Sequence, residues 1–95
     1  MFFIFVADST RPANTKDFDI IAEHLGKKWR EVGRKLEFSK GQLDGFDEDY
    51  SRLKETIYQM LYQWREREAN KATIGKIAKL LREVKKTSVV GKLTP

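Results

Sequence analysis

The stretch Leu25-Gly-Lys-Lys-Trp29-Arg-Glu-Val-Gly-Arg-Lys-Leu36 decides the fold. Gly26 follows a run with helical spacing. Its freedom to take positive φ suits the position just past a helix end. Trp29, Val32 and Leu36 then recur at i, i+3 and i+7, one face of a second helix. Lys28, Arg30, Glu31, Arg34 and Lys35 take the opposite face. Two short helices therefore meet at a glycine with an indole in the angle between them. Most of the remaining chain reads as helices that bury that indole.

Upstream, Phe18, Ile21, Ala22 and Leu25 keep helical spacing from about Lys16, with Thr15 or Asn14 able to cap. Residues 1–15 read as an arm and a polar linker. Phe2–Ala7 is apolar but short for a signal core and lacks a basic segment before it, so it reads as an extended arm that packs. Downstream, Ser39 and Gln42 have capping-box spacing and open a third helix over about Lys40–Asp49. Leu43 and Phe46 form its inner side, and Asp44, Asp47, Glu48 and Asp49 form an acidic outer edge. Gly41 and Gly45 weaken this helix by about 1 kcal/mol each relative to alanine, so its order depends on packing.

A fourth helix spans about Leu53–Ala69, with Leu53, Ile57, Met60, Leu61 and Trp64 on one stripe. Tyr58 and Tyr62 project away from that stripe and are expected to be exposed or at its margin. Thr73 caps a fifth helix whose inner side is Ile74, Ile77, Ala78, Leu81 and Val84. Its outer side is basic: Lys76, Lys79, Arg82, Lys85 and Lys86. Val89, Val90 and Leu93 belong to a short last helix. The two prolines, Pro12 and Pro95, lie outside all of these segments. Residues 16–94 thus form one all-α bundle of five or six helices.

With 95 residues the chain builds one core. Charged residues make up 35% and hydrophobic residues 40%, which suits a soluble helical domain rather than a disordered segment. The net charge is +5, unevenly spread. Residues 1–50 carry 8 basic and 10 acidic groups, while residues 51–95 carry 11 and 4. No run is long enough to span a membrane.

The absence of cysteine removes disulfides, thiolate metal sites and a cysteine nucleophile. The single histidine, His24, stands near a helix C-terminus, where a cation is favoured by the dipole. It has no triad or metal-pair spacing. The acidic third helix lacks the ligand pattern of a calcium loop, and no phosphate-cradling glycine loop is present. The expectation is no enzyme, no cofactor, no metal and no small-molecule substrate. Helix 5 and a pI near 9.6 permit a second reading, a small basic helical nucleic-acid-binding domain, but the acidic third helix would repel phosphate. Opposite charges on different faces favour head-to-tail protein contacts, and exposed tyrosine is a favoured interface residue.

Leu25-Gly-x-x-Trp29, Arg34-Lys-Leu36, Phe38-Ser-x-x-Gln42-x-Asp44, Asp49-Tyr50, Leu53-Lys-Glu-x-Ile57-Tyr-Gln-Met-Leu61-x-x-Trp64 and Lys71-Ala-Thr-x-Gly-Lys76 together resemble a death domain. The likeness is greatest to the receptor-interacting protein kinases and the insect immune-deficiency (Imd) adaptor, and more distant to the Fas-associated adaptor. It covers about residues 17–93 and implies a six-helix antiparallel Greek-key bundle. It also implies homotypic oligomerisation with other death domains, whether a Fas-associated-type adaptor or an upstream receptor complex. The setting it implies is cytoplasmic signalling in innate immunity, the Imd or NF-κB pathways, or apoptosis. Carried over by position, Lys28, Arg30, Arg34 and Lys35 match the helix 2 contact surface. Asp44, Asp47, Glu48 and Asp49 match that of helix 3. Trp29 and Trp64 match core positions. Ser51 departs from the proline that many members have after the tyrosine ending helix 3.

Overall fold

The computed structural model describes residues 5–95. Six α-helices follow in order: α1 (Thr15–His24), α2 (Trp29–Lys35), α3 (Lys40–Asp49), α4 (Leu53–Glu68), α5 (Ile74–Glu83) and α6 (Thr87–Val90). Single 3-10 turns stand at Val6–Asp8, Gly26–Lys28 and Ala69–Lys71. No strand occurs among the described residues; the one extended pairing is an isolated bridge between Pro12 and Thr73.

Local chemistry sets the helix ends. Asn14 caps α1: its side chain accepts from Asp17 N–H at 3.1 Å, and Asp17 Oδ2 accepts from Asn14 N–H at 2.8 Å. Gly26 takes φ +66 after the last turn, as its position predicts. The chain then makes a 3-10 turn, so α2 opens at Trp29 rather than at Lys27. Ser39 and Gln42 form the expected reciprocal box at α3. Thr73 caps α5 by accepting from Lys76 N–H.

The longest helix, α4, is the axis of the core and packs most extensively on α1. Phe18 and Ile21 of α1, with Leu25 just past its end, meet Ile57, Met60, Leu61 and Trp64 of α4, all buried. From the other side come Trp29, Val32, Ile74, Ile77 and Leu81. Removal of each such side chain from water contributes about 1.5–3 kcal/mol. Gly33 lets α2 approach this layer. A Cβ there would stand 2.5 Å from a Leu43 methyl and 2.9 Å from Met60 Sδ. Leu53 departs from the expected stripe. It is the first residue of α4, between the exposed Arg52 and Lys54, and is itself 41% exposed. Leu93 lies past the end of α6 yet is buried with Val89 and Val90.

Of the apolar arm Phe2–Ala7, residues 2–4 lie outside the described residues. Ala7 is buried, and the turn Val6–Asp8 packs on α5. Two backbone amides at the α5 N-terminus are satisfied by this segment: Ile74 N–H donates to Arg11 O at 2.8 Å, and Gly75 N–H donates to Ser9 O at 3.2 Å. Gly75 leaves the room, since a Cβ would collide with the carbonyl oxygens of Ser9 and Ala7. Arg11 latches the strap. Its guanidinium donates to both oxygens of the buried Asp17 at 3.0 Å and to Thr94 O at 2.8 Å, tying both chain ends to the first turn of α1.

Candidate protein-interaction surface

The charged residues singled out on α2 and α3 lie against each other rather than on separate faces of the molecule. The cause is the short connection between the helices and the close approach that Gly33 permits. Arg30, from the outer side of α2, donates to Asp44 Oδ1 at 2.8 Å and to Asp47 Oδ2 at 3.3 Å. Lys40 donates to the other Asp44 oxygen at 2.9 Å, an i, i+4 pair within α3. Arg30 also lies over the Trp29 ring, its guanidinium carbon 4.8 Å from the centroid. The guanidinium of Arg30 is held above its usual range, chiefly by the hydrogen bond to Asp44, with burial opposing. The Asp44 carboxyl is held below the usual carboxylate range, first by the hydrogen bond from Lys40 and then by that from Arg30. The result is a pre-oriented lattice of charge at the protein surface, solvated and screened by salt.

The remaining members of the set are placed differently. Lys28 Nζ donates to Val84 O at 2.9 Å, a cation on the last turn of α5. Lys35 pairs with Glu83 at 3.0 Å, joining α2 to α5. Arg34, Glu48 and Asp49 are exposed and make no ion pair among the described residues. Glu31 on α2 is likewise exposed and without an ion pair among the described residues.

Both tyrosines sit at the margin of α4, half-buried. Tyr58 meets Phe18 edge to face, with centroids 6.0 Å apart. Tyr62 lies under the Arg65 guanidinium at 5.0 Å, and Arg65 also covers Phe18. Tyr58 further lines an open cleft of about 400 Å³ between α1 and α4, with Asp19, Arg52 and Lys54 at its sides. The tyrosines are thus away from the α2–α3 edge and belong to a second patch.

Two features escape a reading of sequence spacing. Arg67 donates to Leu36 O and covers the Phe38 ring at 4.7 Å, which fixes the α2–α3 connection and hence the charged edge. Phe38 in turn meets Phe46 edge to face at 5.4 Å. The only sequence signal was a basic residue near the end of α4, too common a feature to single out. Among the described residues, no three His, Cys, Asp or Glu side chains are grouped to hold a metal, and no helix is long and apolar enough to cross a membrane. His24 is exposed in the last turn of α1.

Comparison with known proteins agrees with this architecture. The chain is 42% identical over 91 residues to human receptor-interacting serine/threonine-protein kinase 1, covering 93% of this chain and 14% of that protein. It is 33% identical over 66 residues to the mouse FAS-associated death domain protein, covering 68% of this chain and 32% of that one. With the bovine tumor necrosis factor receptor type 1-associated DEATH domain protein it shares 34% over 86 residues, 83% of this chain and 28% of that one. The chain therefore spans a third or less of each of these relatives. The death-domain family model matches residues 15–95. Because that match runs from the first turn of α1 to Pro95 and takes in every helix that builds the charged edge, the chain belongs to the death-domain family.

Proposed function

We propose that this chain is a homotypic recruitment module, binding other death domains through the α2–α3 edge and the tyrosine patch of α4. Residues 16–94 are the interaction unit, with the strap latched onto it. The observation that carries the reading is the charged edge itself: Arg34, Glu48 and Asp49 are exposed and make no ion pair among the described residues, beside the fixed Arg30–Asp44–Lys40 lattice. Fixed charges of both signs select a partner's orientation more than they add affinity. Each exposed pair is worth about 0–1 kcal/mol, so assembly needs several contacts at once, supplied when clustering raises the local concentration. Lys28, Arg30, Arg34 and Lys35 form the basic half of the surface, Asp44, Asp47, Glu48 and Asp49 the acidic half, and Tyr58 and Tyr62 the second patch.

The setting we infer is cytoplasmic signalling of the receptor-interacting-kinase or Imd type, in innate immunity, NF-κB activation or cell death. Two of the relatives are named for association with FAS and with tumor necrosis factor receptor type 1. A pull-down with the Fas-associated death domain tests the assignment. Arg34→Glu and Glu48→Lys should each reduce capture while leaving the helical signal intact. Unchanged capture by both folded variants would remove this edge from the reading.

A further inference from the structure

A carboxylate at a helix C-terminus faces the negative end of the backbone dipole. At the ends of α1, α4 and α5 each such carboxylate has a cation at hand. Glu23, in the last turn of α1, pairs with Lys54, and Glu83, at the end of α5, pairs with Lys35. Glu66 and Glu68 end α4 beside Arg65 and Arg67. The end of α3 differs. It finishes in Asp47-Glu48-Asp49 with no basic residue in its last turn. Arg30 reaches Asp47, but Glu48 and Asp49 are exposed and make no ion pair among the described residues. Glu31 and Glu55 also lack a pair there, yet they stand in the first turns of α2 and α4, where the dipole favours them.

The helix α5 carries the converse. Lys76 stands in its first turn, which holds no acid, so a cation meets the positive end of the dipole. Lys79 and Arg82 continue from it in steps of three, along one ridge of the helix. All three are exposed and make no ion pair among the described residues. Asp8 of the strap lines the same open cavity as Lys76 and Lys79 and pairs with neither. Within one chain α2 packs on both α3 and α5, and the carboxylates of the α3 end reach no cation of α5.

We propose that the Lys76–Lys79–Arg82 ridge of α5 receives Glu48 and Asp49 from the α3 end of a second copy of this chain. Complementary patches on different helices make a heterologous contact, so each added copy leaves one patch open and the assembly grows head to tail. An acidic bilayer or a nucleic-acid duplex answers the ridge but repels the α3 end. A second copy answers both, and each contact relieves two charges that oppose their own helix dipoles. Exposed pairs are individually weak, so the contact forms at high local concentration and weakens with salt. It rests on the homotypic role proposed for the α3 end and names the surface on which that end docks, a surface outside both the α2–α3 edge and the tyrosine patch.

The test is sedimentation velocity of this chain over a concentration series at 50 and 500 mM salt, with circular dichroism confirming that each variant is folded. Self-association is expected at low salt and is expected to weaken at high salt. Lys79→Glu with Arg82→Glu should raise its Kd at least about tenfold, and Glu48→Lys with Asp49→Lys should do the same. Lys16→Glu with Lys92→Glu makes the same change of net charge as the α5 pair, away from both patches, and should leave self-association in place. All four α3 and α5 substitutions in one chain return the net charge to +5 and re-create the complementarity with its signs exchanged, so self-association should return. Capture of the Fas-associated death domain should survive the α5 substitutions. The proposal is overturned if the fourfold variant stays monomeric, or if the α5 pair weakens self-association no more than the Lys16 and Lys92 pair. Loss of Fas-associated capture with the α5 pair would assign the ridge to other death domains and overturn it too. An unaltered chain that is monomeric at 50 mM salt also overturns it, while Fas-associated capture by that chain would leave the homotypic reading standing.

Discussion

Arg30 and Asp44 meet at 2.8 Å across the boundary between α2 and α3. This pair converts two helices of opposite charge into one rigid edge. The carboxylate is shared with Lys40 and the guanidinium with Asp47, so neither partner can turn without disturbing a second bond. The Asp44 carboxyl should therefore titrate below an ordinary aspartate when followed by its side-chain NMR shift. A depressed folded-state pKa contributes stability above the unfolded value, near 3.9, and that contribution is lost as pH falls through the folded midpoint. Lys40→Met, which removes the largest cause, should move the midpoint up towards the usual range; Arg30→Met should do so less. An Asp44 midpoint that neither change moves would contradict the shared-carboxylate geometry.

Gly33 should tolerate no side chain. A methyl there meets both Leu43 and Met60, so Gly33→Ala should destabilise by about 1–3 kcal/mol through overpacking. Urea denaturation reads this directly. Leu43→Val in the same chain should recover part of the loss, because the nearest clash is with a Leu43 methyl. Purely additive effects of the two changes would mean that the helices part rather than repack.

The strap should behave as a component of the fold. Arg11→Ala leaves the buried Asp17 carboxylate short of two donors and frees the Thr94 carbonyl. A destabilisation of about 1–3 kcal/mol follows. Gly75→Ala should have a similar effect for a steric reason, by pushing away the Ser9 and Ala7 carbonyls. Hydrogen exchange at Ile74 and Gly75 distinguishes the strap from a tethered tail, since both amides are protected only while it is seated. Fast exchange at these two amides in the unaltered chain would contradict the seated arrangement.

Glu37 occupies the left-handed region with φ 70, just past the end of α2. Its side chain is exposed and makes no ion pair among the described residues. Glu37→Gly removes the Cβ conflict and should raise stability by about 0.5–1 kcal/mol in thermal unfolding. A loss of stability instead would show that chain entropy outweighs the relief of strain.

Local signals carried most of this fold into the sequence. The helix stop at Gly26, the Ser39–Gln42 box, the Thr73 cap and the burial of Trp29 and Trp64 rest on neighbours within one or two turns, and all are present. Leu53 is exposed although it falls on the apolar stripe, because helical spacing assigns a face but not how far along the helix the core extends. Gly33 and Gly75 were unreadable as close-approach sites, since a glycine that admits another element looks the same as one that merely weakens a helix. The Arg11–Asp17 latch joins a polar segment to a helix cap, and nothing in their spacing marks Asp17 as buried. On the candidate surface, residue type identified the charges. Which of them are mutually engaged and which stand free is a property of the packed helices alone.

Homotypic recruitment through the α2–α3 edge is tested most directly by light scattering coupled to size exclusion, on this chain mixed with the Fas-associated death domain at 50 and 500 mM salt. The expected result is a complex at low salt that dissociates at high salt and is weakened by Arg34→Glu or Asp47→Lys in a folded chain. A chain that stays monomeric beside this and every other death domain at either salt, or a complex indifferent to both substitutions, would contradict it.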